Sequence, residues 1–207
     1  MRVIIGSYRE RAYIERALES INRHIFGVED VVVVDDSVNP ENSEWLSGLD
    51  GINEVIPTGK VGYSKAMQVV CDAAEGEQFM FWEEDFTAIA DVDLHDLSAI
   101  LFDRPYLAQV ALLRQPWFPI EVEHGGLVEA LVAQGHEFPN VNGVLEQTAT
   151  FTCNPSVWRA DVAKQGWPQT RLSEETKRDR LLRQGYRFGF VEGIKVNHEG
   201  VRSGFGY

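Results

Sequence analysis

The chain has 207 residues, 44% hydrophobic and 11% aromatic, enough to bury one substantial core, so a single domain is expected over residues 1–207. Thirty-two Asp and Glu against nineteen Lys and Arg leave a formal charge of −13, which disfavours duplex nucleic acid, because that grip is built from clustered basic residues. Cys71 and Cys153 are the only cysteines, too few for a disulfide framework and without the paired spacing of a zinc site, and both are read as buried thiols.

The opening apolar run, Val3-Ile4-Ile5 after Arg2, is too short for a signal peptide, and no window approaches the roughly twenty apolar residues of a membrane span. A soluble, cytoplasmic protein is expected. Residues 3–6 read as the first strand. Ile14, Ala17, Leu18 and Ile21 follow at i, i+3, i+4 and i+7, which places one apolar face on a helix of three or four turns. Val31 to Val34 form an unbroken β-branched run of the kind a strand buried on both faces shows, and it stops at Asp35-Asp36-Ser37. A third strand is expected over 52–56. Pro57, Gly59 and Gly62 then make a loop, and Ser64 is placed to cap a helix carrying Met67, Val70, Cys71 and Ala74. The fourth strand, 78–82, also ends in acids, Glu83-Glu84-Asp85. Beyond it we expect a helix over 93–102 and a strand over 106–113. Residues 115–142, rich in Pro, Gly, His and aromatics around Leu127, Leu131 and Val132, read as an excursion with one helix. A return to the sheet over 145–153, a short helix opened by Pro155, a helix over 174–184 and strands over 186–191 and 194–198 complete the pattern.

Strands alternating with amphipathic helices imply an α/β fold with a mixed, mostly parallel sheet flanked by helices. Ligands in such folds sit outside the carboxyl ends of the strands. Two acidic clusters at successive strand ends should therefore converge on one crevice. Glu83 and Asp85, two apart, can offer oxygens to one hard cation, Mn²⁺ or Mg²⁺, shared with substrate phosphates, or stand in a solvated loop. Asp35 and Asp36 read equally as turn acids and as acceptors for the donor groups of a base and ribose. A phosphate loop is excluded because Gly59-Lys60-Val61-Gly62-Tyr63-Ser64-Lys65 lacks its spacing, and no G-x-G-x-x-G follows the first strand.

Taken in order, Ser7-Tyr8-Arg9, Val33-Val34-Asp35-Asp36-Ser37, Lys60 to Ala66, Phe81-Trp82-Glu83-Glu84-Asp85, Thr152 to Ser156 with Trp158-Arg159, Glu174 ahead of Arg180-Leu181-Leu182 and Gly185-Tyr186-Arg187, and Asn197-His198-Glu199-Gly200 resemble the family 2 glycosyltransferases. The resemblance covers most of the chain and implies the Rossmann-like GT-A fold, with residues 1–90 holding a nucleotide-sugar and 91–207 the acceptor. It implies donor contacts at Ser7, Tyr8, Arg9, Asp35, Asp36, Lys60, Gly62, Lys65, Glu83 and Glu84. It implies a cation on Asp85, His198 and Glu83, and a general base at Glu174, with Glu175 as the second choice. Glu83 replaces the family's usual Asp, and Ser173-Glu174-Glu175 stands where it usually has Glu-Asp. The implied reaction is displacement at the anomeric carbon with inversion, from a UDP-sugar ahead of a GDP-sugar.

The acceptor, whether glycan, metabolite, protein side chain or modified nucleotide, is expected against Trp117, Phe118 and Phe138, aromatics that equally suit a plain core. His24, His95, His124 and His136 are read as structural or surface residues. The glycine-rich 200–207 tail is expected either to close over bound donor with Arg202 near the phosphates or to fray. Two rival readings remain: a non-catalytic module binding nucleotide-sugar or glycan, and a sugar-phosphate nucleotidyltransferase. The latter would call for a Gly-rich basic loop where Ser7-Tyr8-Arg9-Glu10 stands.

Overall fold

The computed structural model describes residues 1–8 and 11–200. The chain runs β1 (Arg2–Ser7), α1 (Arg11–His24), β2 (Ile25–Phe26), β3 (Asp30–Asp35), α2 (Pro40–Ser47), β4 (Glu54–Pro57), α3 (Tyr63–Asp72), β5 (Gln78–Glu83), β6 (Phe86–Ala88), β7 (Val92–Asp93), α4 (Leu94–Asp103) and β8 (Leu107–Arg114). It continues through α5 (Pro119–His124), α6 (Leu127–Ala133), β9 (Asn140–Val141), β10 (Val144–Gln147), β11 (Ser156–Arg159), α7 (Ala160–Ala163), α8 (Ser173–Arg183) and β12 (Arg187–His198).

One sheet has the order β4-β3-β1-β5-β11-β8-β12-β10-β9, with β6 on the far end of β12. β4, β3, β1 and β5 are mutually parallel, as are β8 and β12, while β11 runs antiparallel between β5 and β8. Period-two alternation sends Val3, Ile5, Val33, Met80 and Trp82 to one face, against α1 and α4 through Ile14, Leu18, Leu97 and Leu101. Ile4, Val32, Phe79 and Phe81 go to the other, against Met67 and Val70 of α3, Val162 of α7 and Leu181 of α8. Each such fully buried side chain contributes about 1.5–3 kcal/mol. This double cover is why Val31 to Val34 show no polar alternation.

Several expectations are corrected. Pro155 opens no helix; its C=O accepts from Leu112 N–H (2.8 Å), and β11 begins at the next residue. Ser64 does not cap α3, because Gly62 takes the N-cap at φ 88°, a conformation suited to glycine, and Ser64 Oγ donates to Thr170 C=O (3.2 Å). The 115–142 excursion holds two helices, separated where Gly125 turns left-handed at φ 91°. Of the expected 145–153 segment only 145–147 is strand, within β10. The two closing strands are one, β12, with register shifts between Val191 and Ile194 and between Ile194 and Val196. Helix α2 was missed, although Asn39 as N-cap and Pro40 in its first turn announce it. Among the described residues no helix is long and apolar enough to cross a membrane. Both cysteines are buried and free.

Candidate active site

Sheet register brings the strand ends together. Ser7 pairs with Asp35 across β1 and β3, and Gly6 with Glu83 across β1 and β5. Ser7 Oγ donates to Glu84 Oε2 (2.7 Å), and both residues are buried. Asp35 Oδ1 accepts from Ser37 N–H (3.0 Å) and Asn42 Nδ2 (3.2 Å), and its Oδ2 from Ser43 Oγ (2.6 Å). Asp36 Oδ1 accepts from Thr58 Oγ1 and Val61 N–H (2.7 Å), and its Oδ2 from Gly62 N–H (3.0 Å). Asp35 thus fastens the start of α2 to the sheet, and Asp36 fastens the 58–62 loop. Lys60 lies exposed in that loop at φ 58°, and Lys65 is exposed on α3. Tyr8 is half-buried at the end of β1, and Arg9 lies outside the described residues, as does Arg202 with the rest of the tail after Gly200.

Asp85 and His198 meet because β6 pairs with the end of β12, His198 opposite Phe86, and Glu199 N–H donates to Asp85 C=O (2.8 Å). His198 Nε2 stands 3.2 Å from Asp85 Oδ2. The imidazole stacks on Phe86 (4.5 Å between centroids, 11°) and leans on Trp117 (4.2 Å, 48°). Gln115 locks the strand end from both sides, its Nε2 donating to His198 C=O (2.9 Å) and its Oε1 accepting from His198 N–H (2.8 Å). A Cβ on Gly200 would fall 2.1 Å from Asp85 Oδ2 and 3.1 Å from His198 Nε2. Only glycine leaves space in front of this carboxylate–imidazole pair. No group of three potential metal ligands is assembled among the described residues. Asp85 and His198 offer one carboxylate and one imidazole nitrogen, and a cation held there would need its remaining ligands from a phosphate-bearing substrate and water. Glu83 lines the adjoining cavity. His198 Nδ1 is buried without a hydrogen-bond partner, so the ring is oriented by its stacking and by the Nε2 contact to Asp85.

That cavity, about 320 Å³, lies between the strand ends, the 115–127 segment and the first turn of α8, and His198, Glu83, Glu174, Arg114, Trp117, Phe118, Thr152 and Asn154 line it. Glu174 enters it from α8. Its Oε2 accepts from Cys153 N–H (3.1 Å) and its Oε1 from Tyr63 Oη (3.3 Å). Burial raises its carboxyl above the ordinary value of 4.5 and the Glu175 charge adds to that, against the bonds from Cys153 and Tyr63, which favour the anion. Glu175 is exposed.

Arg114, at the end of β8, meets Glu121 in a buried fork, Nη1 to Oε2 at 2.6 Å and Nη2 to Oε1 at 2.9 Å, and Glu121 Oε2 also accepts from Trp117 N–H (2.7 Å) and Phe118 N–H (3.1 Å). Burial alone would raise the Glu121 carboxyl; the Arg114 and backbone bonds outweigh it and hold it below its ordinary value. Asn154 is buried with its Nδ2 unpartnered. Phe138 stacks on Phe190 in a small core cluster instead, which is the plain-core reading of that residue.

Tyr63, Arg114, Glu121 and Asn154 were not singled out from sequence. Arg114 could have been, since it is a charge delivered to a strand's carboxyl end as Asp35 and Glu83 are. A larger cavity, about 410 Å³, lies around Met1, Arg2, Asp30 and Gln78 at the opposite, amino-terminal end of the parallel strands, away from all of these groups.

The profile of the family described as Glycosyl transferase family 2 matches residues 2–124. The fold is similar to that of the mannosyltransferase PcManGT from Pyrobaculum calidifontis, solved in complex with GDP-Man and Mn²⁺, with a TM-score of 0.69 and 17% identity. That likeness covers 99% of this chain and 58% of the mannosyltransferase. It is also similar to residues 1–349 of TarS from S. aureus in complex with UDP-GlcNAc, with a TM-score of 0.67 and 16% identity over 99% of this chain and 59% of that one. At such identities the likeness shows the fold, the GT-A arrangement expected from sequence. The chain spans less than two thirds of the length of either neighbour. No curated protein matches the sequence.

Proposed function

The chain belongs to glycosyl transferase family 2, and from that premise we propose that it moves a sugar from a nucleoside diphosphate to an acceptor hydroxyl, with inversion at the anomeric carbon. The observation that carries the reading is the placement of Glu174 in one cavity with Glu83 and His198, the latter paired to Asp85. The acceptor O–H gives its proton to the Glu174 carboxylate, and the oxygen's electron pair forms the new bond to the anomeric carbon. The bond from that carbon to the diphosphate breaks on the opposite side, and its electrons leave with the nucleoside diphosphate. A partly desolvated carboxyl raised above its ordinary value is better matched to accepting that proton near neutrality than an exposed one, which favours Glu174 over Glu175.

A divalent cation on Asp85 and His198 would neutralise charge building on the leaving diphosphate. An imidazole ligand beside one carboxylate suits Mn²⁺ better than Mg²⁺, which prefers oxygen. Asp36 holds the 58–62 loop at the donor edge and Ser7 orders Glu84, so these acids shape the nucleotide site from within. Residues 1–90 are assigned to the donor, UDP-sugar first and GDP-sugar second, and residues 91–207 to the acceptor. Trp117 and Phe118 offer the acceptor ring faces at the cavity wall.

Calorimetry with UDP and GDP, with and without Mn²⁺, tests this on the wild type and Asp85→Ala. Mn²⁺-dependent binding lost in the variant supports the assignment, and absence of binding to either nucleotide defeats it. A non-catalytic module would bind nucleotide but leave UDP-GlcNAc and GDP-mannose intact, and Glu174→Gln would then change nothing.

A further inference from the structure

The base assigned above is not an isolated carboxylate at the mouth of a helix. Both of its oxygens are engaged, and the partners come from parts of the chain remote in sequence: Cys153 N–H on Oε2 and Tyr63 Oη on Oε1. Tyr63 is the first residue of α3, and the two residues before it, Val61 and Gly62, are the ones whose N–H groups Asp36 binds. Its ring stands edge-on to Trp167 (6.2 Å, 84°), which fixes the aromatic body, while its hydroxyl also lies 3.0 Å from Cys153 Sγ. The carboxylate at the acceptor side is thereby joined, through one side chain, to the loop held at the donor side.

We propose that Tyr63 is a positioning residue for Glu174, holding the carboxylate in its cavity-facing rotamer and in its ionised form, and tying it to the loop that Asp36 fastens at the strand ends. The proposal rests on Glu174 being the base. The groups facing that carboxylate are Tyr63 from α3, Cys153 from the segment before β11 and Glu175 from its own helix, with Glu83 acting on Tyr63 and Cys153 across the cavity. Burial pushes the Tyr63 hydroxyl and the Cys153 thiol well above their ordinary values, with the nearby carboxylates adding to it, so both stay protonated. The hydroxyl's one proton lies between Cys153 Sγ and Glu174 Oε1, and its bond to a carboxylate is stronger than its bond to a neutral carboxyl, so the contact favours the anion. Loss of that bond favours the protonated carboxyl, which is no base.

The test is Tyr63→Phe, which keeps the ring against Trp167 and deletes only the hydroxyl. Mn²⁺-supported hydrolysis of UDP-GlcNAc and of GDP-mannose, with water in the acceptor's place, is followed across pH, alongside the ¹³C resonance of the Glu174 carboxyl. With the hydroxyl gone the carboxylate is held less firmly and protonates more readily, so kcat should fall several-fold, most on the acid side of the profile. The donor KM should be unchanged, and the acid limb of the rate profile and the carboxyl titration should both move to higher pH. A wild-type limb and titration in Tyr63→Phe, with nucleotide binding and melting temperature preserved, overturns the proposal while leaving glycosyl transfer standing. A wild type that binds nucleotide without hydrolysing either donor, and whose Glu174 resonance ignores Tyr63→Phe, overturns both.

Discussion

Glu121→Ala should be among the most damaging single changes near the cavity. The Glu121 carboxylate accepts four hydrogen bonds, two from the Arg114 guanidinium and two from the backbone at Trp117 and Phe118, with side-chain exposures of 6% for Arg114 and 3% for Glu121. Truncation leaves a buried guanidinium without its anion and two backbone donors without acceptors, a loss of about 3–5 kcal/mol. In a chain of this size that lowers the melting temperature by on the order of 10 °C. Arg114→Met with Glu121→Met removes the stranded charge but still leaves the Trp117 and Phe118 N–H groups without their acceptor, so it should recover part of the loss, and the cycle closed by the single Arg114→Met and Glu121→Met variants should show a large coupling energy.

The pH dependence has a definite sign. Because the folded-state carboxyl is lowered, its contribution is fully present above the unfolded value and is lost as pH falls through the folded one. The doubly apolar variant should therefore lose less stability on acidification than the wild type. Urea unfolding of the wild type, Glu121→Ala, the two single methionine variants and the double variant at neutral and acid pH measures all of this, and a Glu121→Ala loss under about 1 kcal/mol would refute the argument.

Gly200→Ala adds a methyl where Asp85 Oδ2 stands, so Mn²⁺-dependent nucleotide affinity should drop at least tenfold with the melting temperature little changed, as calorimetry and calorimetric melting would report. Glu174→Gln should abolish donor turnover while preserving nucleotide affinity, and Glu175→Gln should leave turnover within a few-fold; equal effects of the two would remove the distinction between a cavity-facing and an exposed carboxyl. Lys177 is fully buried, its Nζ donating to Val162 C=O (2.7 Å) and Gly166 C=O (2.8 Å), and burial lowers it from 10.5 to about 8. Between those values the unfolded chain holds a proton the folded one has released, so stability should rise with pH by about 3 kcal/mol from this group. Lys177→Met should flatten that rise, which denaturant titrations at stepped pH would detect.

What the sequence could announce and what it could not divide along physical lines. Val31 to Val34, Phe79 to Trp82 and the Ile14-Ala17-Leu18-Ile21 stripe were legible because each is a local periodicity imposed by burial on one or two faces. The acids ending the first two of these runs were legible for a related reason, since a strand's carboxyl end is where its next polar residues must surface. β11 was not: Pro155 is as fitting before a strand as at a helix start, and only the vacancy between β5 and β8, a tertiary fact, decides between them. The 115–142 excursion was legible as a departure from the sheet, but Gly125-Gly126 divides it into two helices by a backbone conformation that composition alone does not fix.

The site shows the same division at higher resolution. Asp85 and His198 are 113 positions apart, and their meeting depends on β6 adding to the last three residues of β12, an edge pairing with no local signal. Tyr63 and Glu174 are 111 apart, and although the 60–66 stretch stood out in sequence, nothing in it tied Tyr63 itself to a partner so remote in the chain. Asp35 and Asp36 carry the sharper lesson. Sequence could place them at the donor edge but could not say whether their oxygens would face a ligand or the chain. All six carboxylate bonds given above come from donors no more than 26 residues away, so these acids first hold the α2 turn and the 58–62 loop in place. Any effect of Asp36→Asn on nucleotide binding should then pass partly through that loop, and through it to Tyr63 and Glu174.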